Sequence, residues 1–265
     1  MERDFTTENW LKKALFGCSF FSCVHAFDSV GSTNDVAKEL GENGAAEGTI
    51  VLAKTQTSGR GRMGRTFYSP EDSGLYMSLL LRPKSCDNLG LITAGAAVAM
   101  RRAIFDVTNI HVDIKWVNDL WFQDKKLCGI LAEGKFCSSG SLPYVILGVG
   151  VNLQVPQLGY ADEIKEKTVS LKEIAPQLNI EAHTLASAFI WRFSELYQAL
   201  PSVEFLIEYR QASCLLQKEI TYQKMGKTCT GLAVAIDDAA QLVVLSDTGE
   251  KQSLSMGEVQ LVRKV

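Results

Sequence analysis

The chain has 265 residues, a net charge of −3, 22% charged residues and 46% hydrophobic ones, the make-up of an ordinary globular protein with one large domain or one large and one small. That charge balance argues against general nucleic-acid binding. The seven cysteines are scattered, with no C-x-x-C pair and no zinc spacing, which fits reduced thiols in a cytoplasmic setting rather than a disulfide framework.

In chain order, Thr7 to Phe16 is expected to form a short helix and Ser22 to Phe27 a strand. Lys12-Lys13 and the apolar run Ala14 to Val24 imitate a secretory signal core. Glu2, Asp4 and Glu8 precede that run, no clean cleavage site follows it, and it is too short to span a bilayer. Ser29 to Leu40 reads as a turn into a helix, with Ser32 and Asp35 spaced as a capping box and Gly41 closing the helix. Capping is a sufficient structural reason for Ser32. Thr33 and Asn34 add a hydroxyl and an amide at the helix start, where a polar ligand can be recognised.

A strand over Thr49 to Lys54 leads into the most unusual stretch, Gly59-Arg-Gly-Arg-Met-Gly-Arg65. Arg60, Arg62 and Arg65 alternate there with glycines and no acidic residue. Glycine permits close backbone approach to a ligand, and arginine offers a planar fork of donors for phosphate or carboxylate. The stretch is expected to be a mobile cationic loop closing over an anion; the plain alternative is a solvated basic turn. It satisfies G-x-G-x-x-G and falls one residue short of a P-loop, but both motifs need a helix directly after the glycines. Thr66 to Gly74 reads as turns instead, and Leu75 to Leu81 as a strand.

Asn88 to Val107 is expected to form a long alanine-rich helix, and its run Leu91 to Met100 is apolar nearly all round, which predicts that it is largely buried. Strands follow at His111 to Trp116, Leu120 to Phe122, Leu127 to Glu133 and Tyr144 to Leu153. Val117-Asn-Asp119 and Asp124-Lys-Lys126 are the turns between them. Leu185, Phe189, Phe193, Leu196 and Leu200 recur at helical spacing. Pro201 ends that helix, and Val203 to Arg210 forms another. After Ser213, short strands at Glu219 to Tyr222, Thr228 to Ile236, Leu242 to Leu245, Gln252 to Leu254 and Val259 to Val262 predict a small β barrel of about fifty residues. Its turns fall at Lys224-Met-Gly226, Asp237-Asp238, Asp247-Thr-Gly249 and Met256-Gly257. His25, His111 and His183 are far apart in sequence, so no histidine metal site is expected.

Five short motifs occur in one order: Ser32-Thr-Asn34, Gln56 before Gly59 to Arg65, Lys115-Trp-Val-Asn-Asp119, Lys126-Leu-Cys-Gly-Ile-Leu131, and Gly150-Val-Asn152. In this they resemble the biotin protein ligases, from about Phe27 to the C-terminus. The tail ending Gly257-Glu-Val259 resembles the family's SH3-like domain. The family often has proline where Val117 stands, and a larger aromatic where Phe67 stands. The resemblance implies an α+β fold: a mixed β-sheet catalytic domain packed with helices, like class II aminoacyl-tRNA synthetases, over residues 1–212, and an SH3-like barrel over 213–265. Some members begin with a winged-helix DNA-binding domain. About thirty residues precede Ser32 here, which implies the form without that domain and without a DNA partner.

The resemblance further implies that biotin and ATP give biotinyl-5′-adenylate, and that biotin then passes to one lysine of a biotin carboxyl carrier protein domain. Biotin-binding residues would be Ser32, Thr33, Asn34, Gln56, Arg60, Gly61, Arg62, Lys126 and Gly129. Adenylate-binding residues would be Arg62, Arg65, Phe67, Lys115, Asn118, Asp119 and Asn152. Lys126 and Arg62 carry the catalytic charge, with Mg²⁺ accompanying ATP, no bound prosthetic group, no protein metal site and no enzyme nucleophile. Lys126 is otherwise an exposed turn lysine, Lys115 an edge-strand residue, and Asp119 either a nucleotide contact or an Asx turn. Two other functions stay open: a lipoate or octanoate ligase or transferase, and a non-catalytic biotin-binding regulator. The expected protein is cytoplasmic and free of membrane. It forms a possible homodimer, and an exposed sheet edge would permit pairing or carrier docking.

Overall fold

The computed structural model describes residues 1–84, 89–135, 143–224 and 226–262. Its elements in order are α1 (Phe5–Ala14), β1 (Cys23–Val30), α2 (Thr33–Glu42), β2 (Thr49–Gln56), β3 (Gly74–Leu81), α3 (Leu89–Thr108), β4 (Asp113–Lys115), β5 (Asp119–Phe122), β6 (Lys125–Lys135) and β7 (Tyr144–Asn152). There follow α4 (Asp162–Lys165), α5 (Leu171–Ile174), α6 (Ala182–Gln198), α7 (Phe205–Gln211), β8 (Glu219–Lys224), β9 (Lys227–Ile236), β10 (Leu242–Ser246), β11 (Lys251–Leu254) and β12 (Val259–Leu261).

The first seven strands form one mixed sheet in the order β1-β2-β3-β7-β6-β5-β4. β1 and β2 are parallel and the remaining neighbours antiparallel. The alanine-rich α3 and the Leu185–Phe189–Phe193 stripe of α6 bury against one face with Leu75, Met77, Leu79 and Leu81. The opposite face is covered in part by α2, through Ala37 against Val51, Ala53, Leu80 and Ile146. Covered on both sides, β3 buries every residue. The part of that second face beyond α2, over β7, β6, β5 and β4, is where the site lies. No helix among the described residues is long and apolar enough to cross a membrane.

The last five strands form an antiparallel sheet in the order β11-β10-β9-β8-β12. Ile220, Ala233, Leu242 and Val244 belong to the same continuous core as α3 and α7. Trp116 Nε1 donates to the Ala240 carbonyl at 2.9 Å, and Arg210 donates to the Ile236 carbonyl at 2.7 Å. Both edges of the large sheet are partly occupied by the chain itself, by Arg3 bridging Phe27 on β1 and Ser213 bridging Ile114 on β4.

Several sequence expectations are corrected in detail. α1 starts at Phe5 because the Asp4 carboxylate accepts from Thr6 N and Thr7 N, both at 3.1 Å. Ser32 does cap α2, accepting from Asn34 N at 3.3 Å, but there is no reciprocal box, because Asp35 pairs with Arg60 at 3.1 Å. Gly41 lies inside α2 rather than closing it. The chain turns at Gly44, where φ is +83°. The capping box of this fold is Ser170–Glu173, opening the short α5 that sequence periodicity did not reveal. The turn placed at Asp124 to Lys126 is a two-residue hairpin at Gln123 and Asp124, with φ of +47° and +62°. Lys126 therefore stands on β6. The β12 strand ends at Leu261 instead of Val262. Asn88, Met225 and the end of the chain from residue 263 lie outside the described residues.

Candidate active site

The start of α2 supplies the polar end of the cavity. Thr33 donates to Gln56 Oε1 from its backbone N at 2.8 Å and from its hydroxyl at 3.1 Å. Gln56 Nε2 in turn donates to Ser69 Oγ at 2.8 Å, which fixes the orientation of the amide. Asn34 Nδ2 donates to Glu133 at 2.7 Å, while Ser78 Oγ donates to Asn34 Oδ1 at 2.6 Å and lies 2.8 Å from Thr33 Oγ1. Ser32, Thr33, Asn34, Ser69 and Ser78 are all buried. A buried row of satisfied amides and hydroxyls suits a neutral polar ligand group.

The floor is cleared by glycine on β6 and β7. Gly148 and Gly150 alternate onto one face of β7, and Gly129 on β6 pairs with Gly150. A Cβ at Gly148 would lie 2.3 Å from Asn34 Oδ1, and one at Gly150 would lie 2.5 Å from the Phe67 ring. Phe67 thus closes over β7, edge-on to Tyr76 at 6.4 Å. The cavity, which opens to solvent, measures ≈ 180 Å³.

Cations ring the other end. Lys115 and Asp119 face each other across β4 and β5, and Asp119 faces Gly129 across β5 and β6. In a regular strand Lys126, three residues before Gly129, would point to the opposite face. A register shift between Leu120 and Trp121 leaves Leu127 as an extra residue on β6, so that Lys126 sits opposite Trp121. This bulge brings Lys126 onto the cavity face while Leu127 stays buried in the core. Lys126 Nζ stands 2.8 Å from Asp119 Oδ1. The contact is an ion pair rather than an aligned hydrogen bond, since that oxygen has no donor in hydrogen-bonding geometry.

The arginine loop is folded, with Arg62 to Gly64 in a short 3₁₀ turn. Arg62 donates to Asn118 Oδ1 at 2.7 Å and to the Gly257 carbonyl at 2.5 Å, and Asn118 is held in turn by donating to the Ile130 carbonyl at 2.6 Å. Arg60 pairs with Asp35 at 3.1 Å and Glu133 at 3.4 Å, and Arg65 makes a forked contact with Glu258. The loop looked unopposed in sequence because these acceptors come from distant residues. Burial pulls the Arg62 guanidinium below its ordinary pKa, and burial likewise lowers Lys115. The Arg65 contact holds the Glu258 carboxyl below the usual range.

Ser32, Thr33, Asn34, Gln56, Arg60, Gly61, Arg62, Arg65, Phe67, Lys115, Asn118, Asp119, Lys126 and Gly129 all line this one cavity. Asn152 does not join them. Its amide donates to the Lys126 carbonyl at 3.3 Å and the Val169 carbonyl at 3.2 Å, at the bulge. Sequence reading missed Ser69, Ser78, Glu133 and Glu258. Ser78 carried a signal, as the sole side chain with an aliphatic hydroxyl in the otherwise apolar Gly74–Leu81. Among the described residues no group of three His, Cys, Asp or Glu stands close enough to hold a metal ion.

Residues 26–152 match the model of the biotin/lipoate A/B protein ligase family. The chain is 32% identical over 232 residues to the bifunctional ligase/repressor BirA of Bacillus subtilis, covering 86% of this chain and 71% of the relative. It is 29% identical to a biotin–[acetyl-CoA-carboxylase] ligase of Mycobacterium tuberculosis, over 97% of this chain and 96% of that one. Among solved structures, the biotin protein ligase of Aquifex aeolicus in complex with biotin and ATP superimposes with a TM-score of 0.78 at 30% identity, covering 92% of this chain and 100% of the other.

Proposed function

Because the chain belongs to the biotin/lipoate A/B protein ligase family and is a biotin protein ligase, we propose that it activates biotin with ATP as biotinyl-5′-adenylate and transfers biotin to one lysine of a carboxylase's biotin carrier domain. The observation that carries this reading is a single cavity with a neutral polar end and a cationic end. The ureido ring of biotin takes the polar end, against Ser32, Thr33, Asn34 and Gln56, with Gly61 and Gly129 at close approach. Its carboxylate points toward Lys126. The nucleotide lies along Arg62, Arg65, Lys115, Asn118 and Asp119, with Phe67 as the wall between the two ligands. Arg60 braces the loop through Asp35 and Glu133.

A biotin carboxylate oxygen attacks the α-phosphorus, the bond to the bridging oxygen breaks, and pyrophosphate leaves. The transition state gathers charge on phosphoryl oxygens, which Lys126 and Arg62 are placed to meet, so the work is positioning and electrostatics. Lys126 exchanges its Asp119 partner for the ligand anion. In the second step the acceptor lysine, as the free amine, attacks the acyl carbon and AMP departs, leaving an amide. Mg²⁺ enters with ATP as part of the substrate. Asn152 supports this chemistry by holding the carbonyl of Lys126.

In this reading residues 1–212 are the catalytic domain and 213–265 an SH3-like domain whose Gly257-Glu258 turn reaches the arginine loop. The protein acts in the cytoplasm. Incubation with biotin, ATP and an isolated biotin carrier domain tests the proposal by mass spectrometry. Acylation of one carrier lysine by biotin, with lipoate giving none, is expected. Lipoylation in place of biotinylation, or biotin binding without any transfer, would overturn it.

A further inference from the structure

Most cations at the cavity are already committed to protein acceptors: Arg60 to Asp35 and Glu133, Arg62 to Asn118 and Gly257, Arg65 to Glu258, and Lys126 to Asp119. Lys115 differs. Its ammonium makes no hydrogen bond or ion pair with any described residue and lies over the ring of Trp121, 4.0 Å from the centroid. The carboxylate directly opposite it in register, Asp119, is taken by Lys126. A lysine serving only to hold two strands together would pair with that neighbour.

Trp121 reaches Lys115 by strand geometry. It stands two residues after Asp119 on the same face of β5, a diagonal neighbour of Lys115 within reach of a long side chain and a large ring. A ring face attracts an ammonium but has no lone pair to accept its protons, so the donors of Lys115 stay unspent. The indole N–H of Trp121 is itself buried without an acceptor among the described residues. Keeping the ring here therefore carries a cost that a smaller apolar side chain would avoid. Burial lowers the pKa of Lys115, and the negative charge of Asp119 acts in the opposite direction.

We propose that Trp121 is a positioning residue for nucleotide activation: its ring holds the Lys115 ammonium, uncommitted to any protein anion, where it receives a phosphate group of ATP. This rests on the reading of the cavity as a biotin and nucleotide site. Trp121 acts through Lys115 and need not touch the substrate.

The test is biotin-dependent adenylate formation at varied ATP for the wild type, Trp121→Leu, Trp121→Phe, Lys115→Ala and the Lys115→Ala/Trp121→Leu double variant. Trp121→Leu is expected to raise KM for ATP about tenfold, the scale of one partly desolvated cation–π contact, with biotin affinity unchanged. Trp121→Phe keeps a ring face and is expected to lose much less. In the Lys115→Ala background the Trp121 substitution should change KM by less than about twofold, because its effect runs through the missing ammonium. An unchanged KM in Trp121→Leu, or the same increment with and without Lys115, would overturn the proposal. Should Trp121→Leu lose its fold, fluorotryptophan incorporation weakens the ring face at constant shape. KM for ATP is then expected to rise with fluorine number in the wild type and not in Trp121→Phe, and equal behaviour in both would refute the role. A wild-type protein that binds biotin and ATP yet forms no adenylate would instead remove the underlying reading.

Discussion

Replacing Gly148 by alanine adds one methyl group where the structure has no room for it. The new Cβ would lie 2.3 Å from Asn34 Oδ1, 3.0 Å from Asn34 Cγ and 3.0 Å from Asn34 Nδ2. Gly148 is on β7, the central strand of the seven-stranded sheet, hydrogen-bonded to β3 and β6 on either side, so the backbone is the stiffer partner and Asn34 must move. Moving it breaks the contact of Asn34 Nδ2 with Glu133 at 2.7 Å and that of Ser78 with Asn34 Oδ1 at 2.6 Å. A hydrogen bond to a charged group and a neutral one together contribute about 2–4 kcal/mol, partly recovered by new contacts with water. About 2 kcal/mol of that loss should appear in ligand affinity, a roughly thirtyfold weaker biotin Kd. Overpacking adds a stability loss of about 1–3 kcal/mol. Titration calorimetry with biotin measures the first and thermal denaturation the second. Gly95→Ala is the matched control, because its Cβ would meet Phe205 at an ordinary 3.8 Å. A biotin Kd for Gly148→Ala within about threefold of the wild type would refute the claim that Asn34 organises the polar end of the site.

Other substitutions probe the cationic end. Lys126→Ala should keep the fold and lower adenylate formation about a hundredfold or more in single-turnover pyrophosphate release, as loss of a transition-state charge partner does. Arg62→Gly removes donors that span Asn118 and Gly257. It should form adenylate more slowly than the wild type but faster than Lys126→Ala, release it about thirtyfold faster and label added albumin, as seen by streptavidin blotting. The Glu258 carboxyl is held low by Arg65, so its contribution is present above the ordinary carboxylate pKa and lost as pH falls through the lowered folded value. The Tm gap between wild type and Glu258→Gln should therefore narrow as pH falls below about 4.5, while remaining small throughout because both groups are substantially exposed.

Much of the scaffold was legible because its signals are local. The alanine-rich α3, the stripe of α6 and the strands around the five motifs each follow from periodicity within one segment. α4 and α5 were not legible: four-residue helices carry no periodicity. The motif residues converge on one cavity, except Asn152, whose amide is spent on the Lys126 and Val169 carbonyls. Parity alone would have put Lys126 and Gly129 on opposite faces, and the bulge that reconciles them depends on pairing with β5. The partners that neutralise the arginine loop, Glu133 and Glu258, lie 73 and 193 residues away from the arginines they meet. Isolated carboxylates at such separations have no local signature.

Biotin-dependent exchange of labelled pyrophosphate into ATP tests the central claim most directly, because it reports reversible attack of the biotin carboxylate on the α-phosphorus with no carrier present. Exchange is expected with biotin, absent without it, absent with lipoate, and strongly reduced in Lys126→Ala. Exchange that ignores biotin, or none at all in a protein that binds both ligands, would contradict the account.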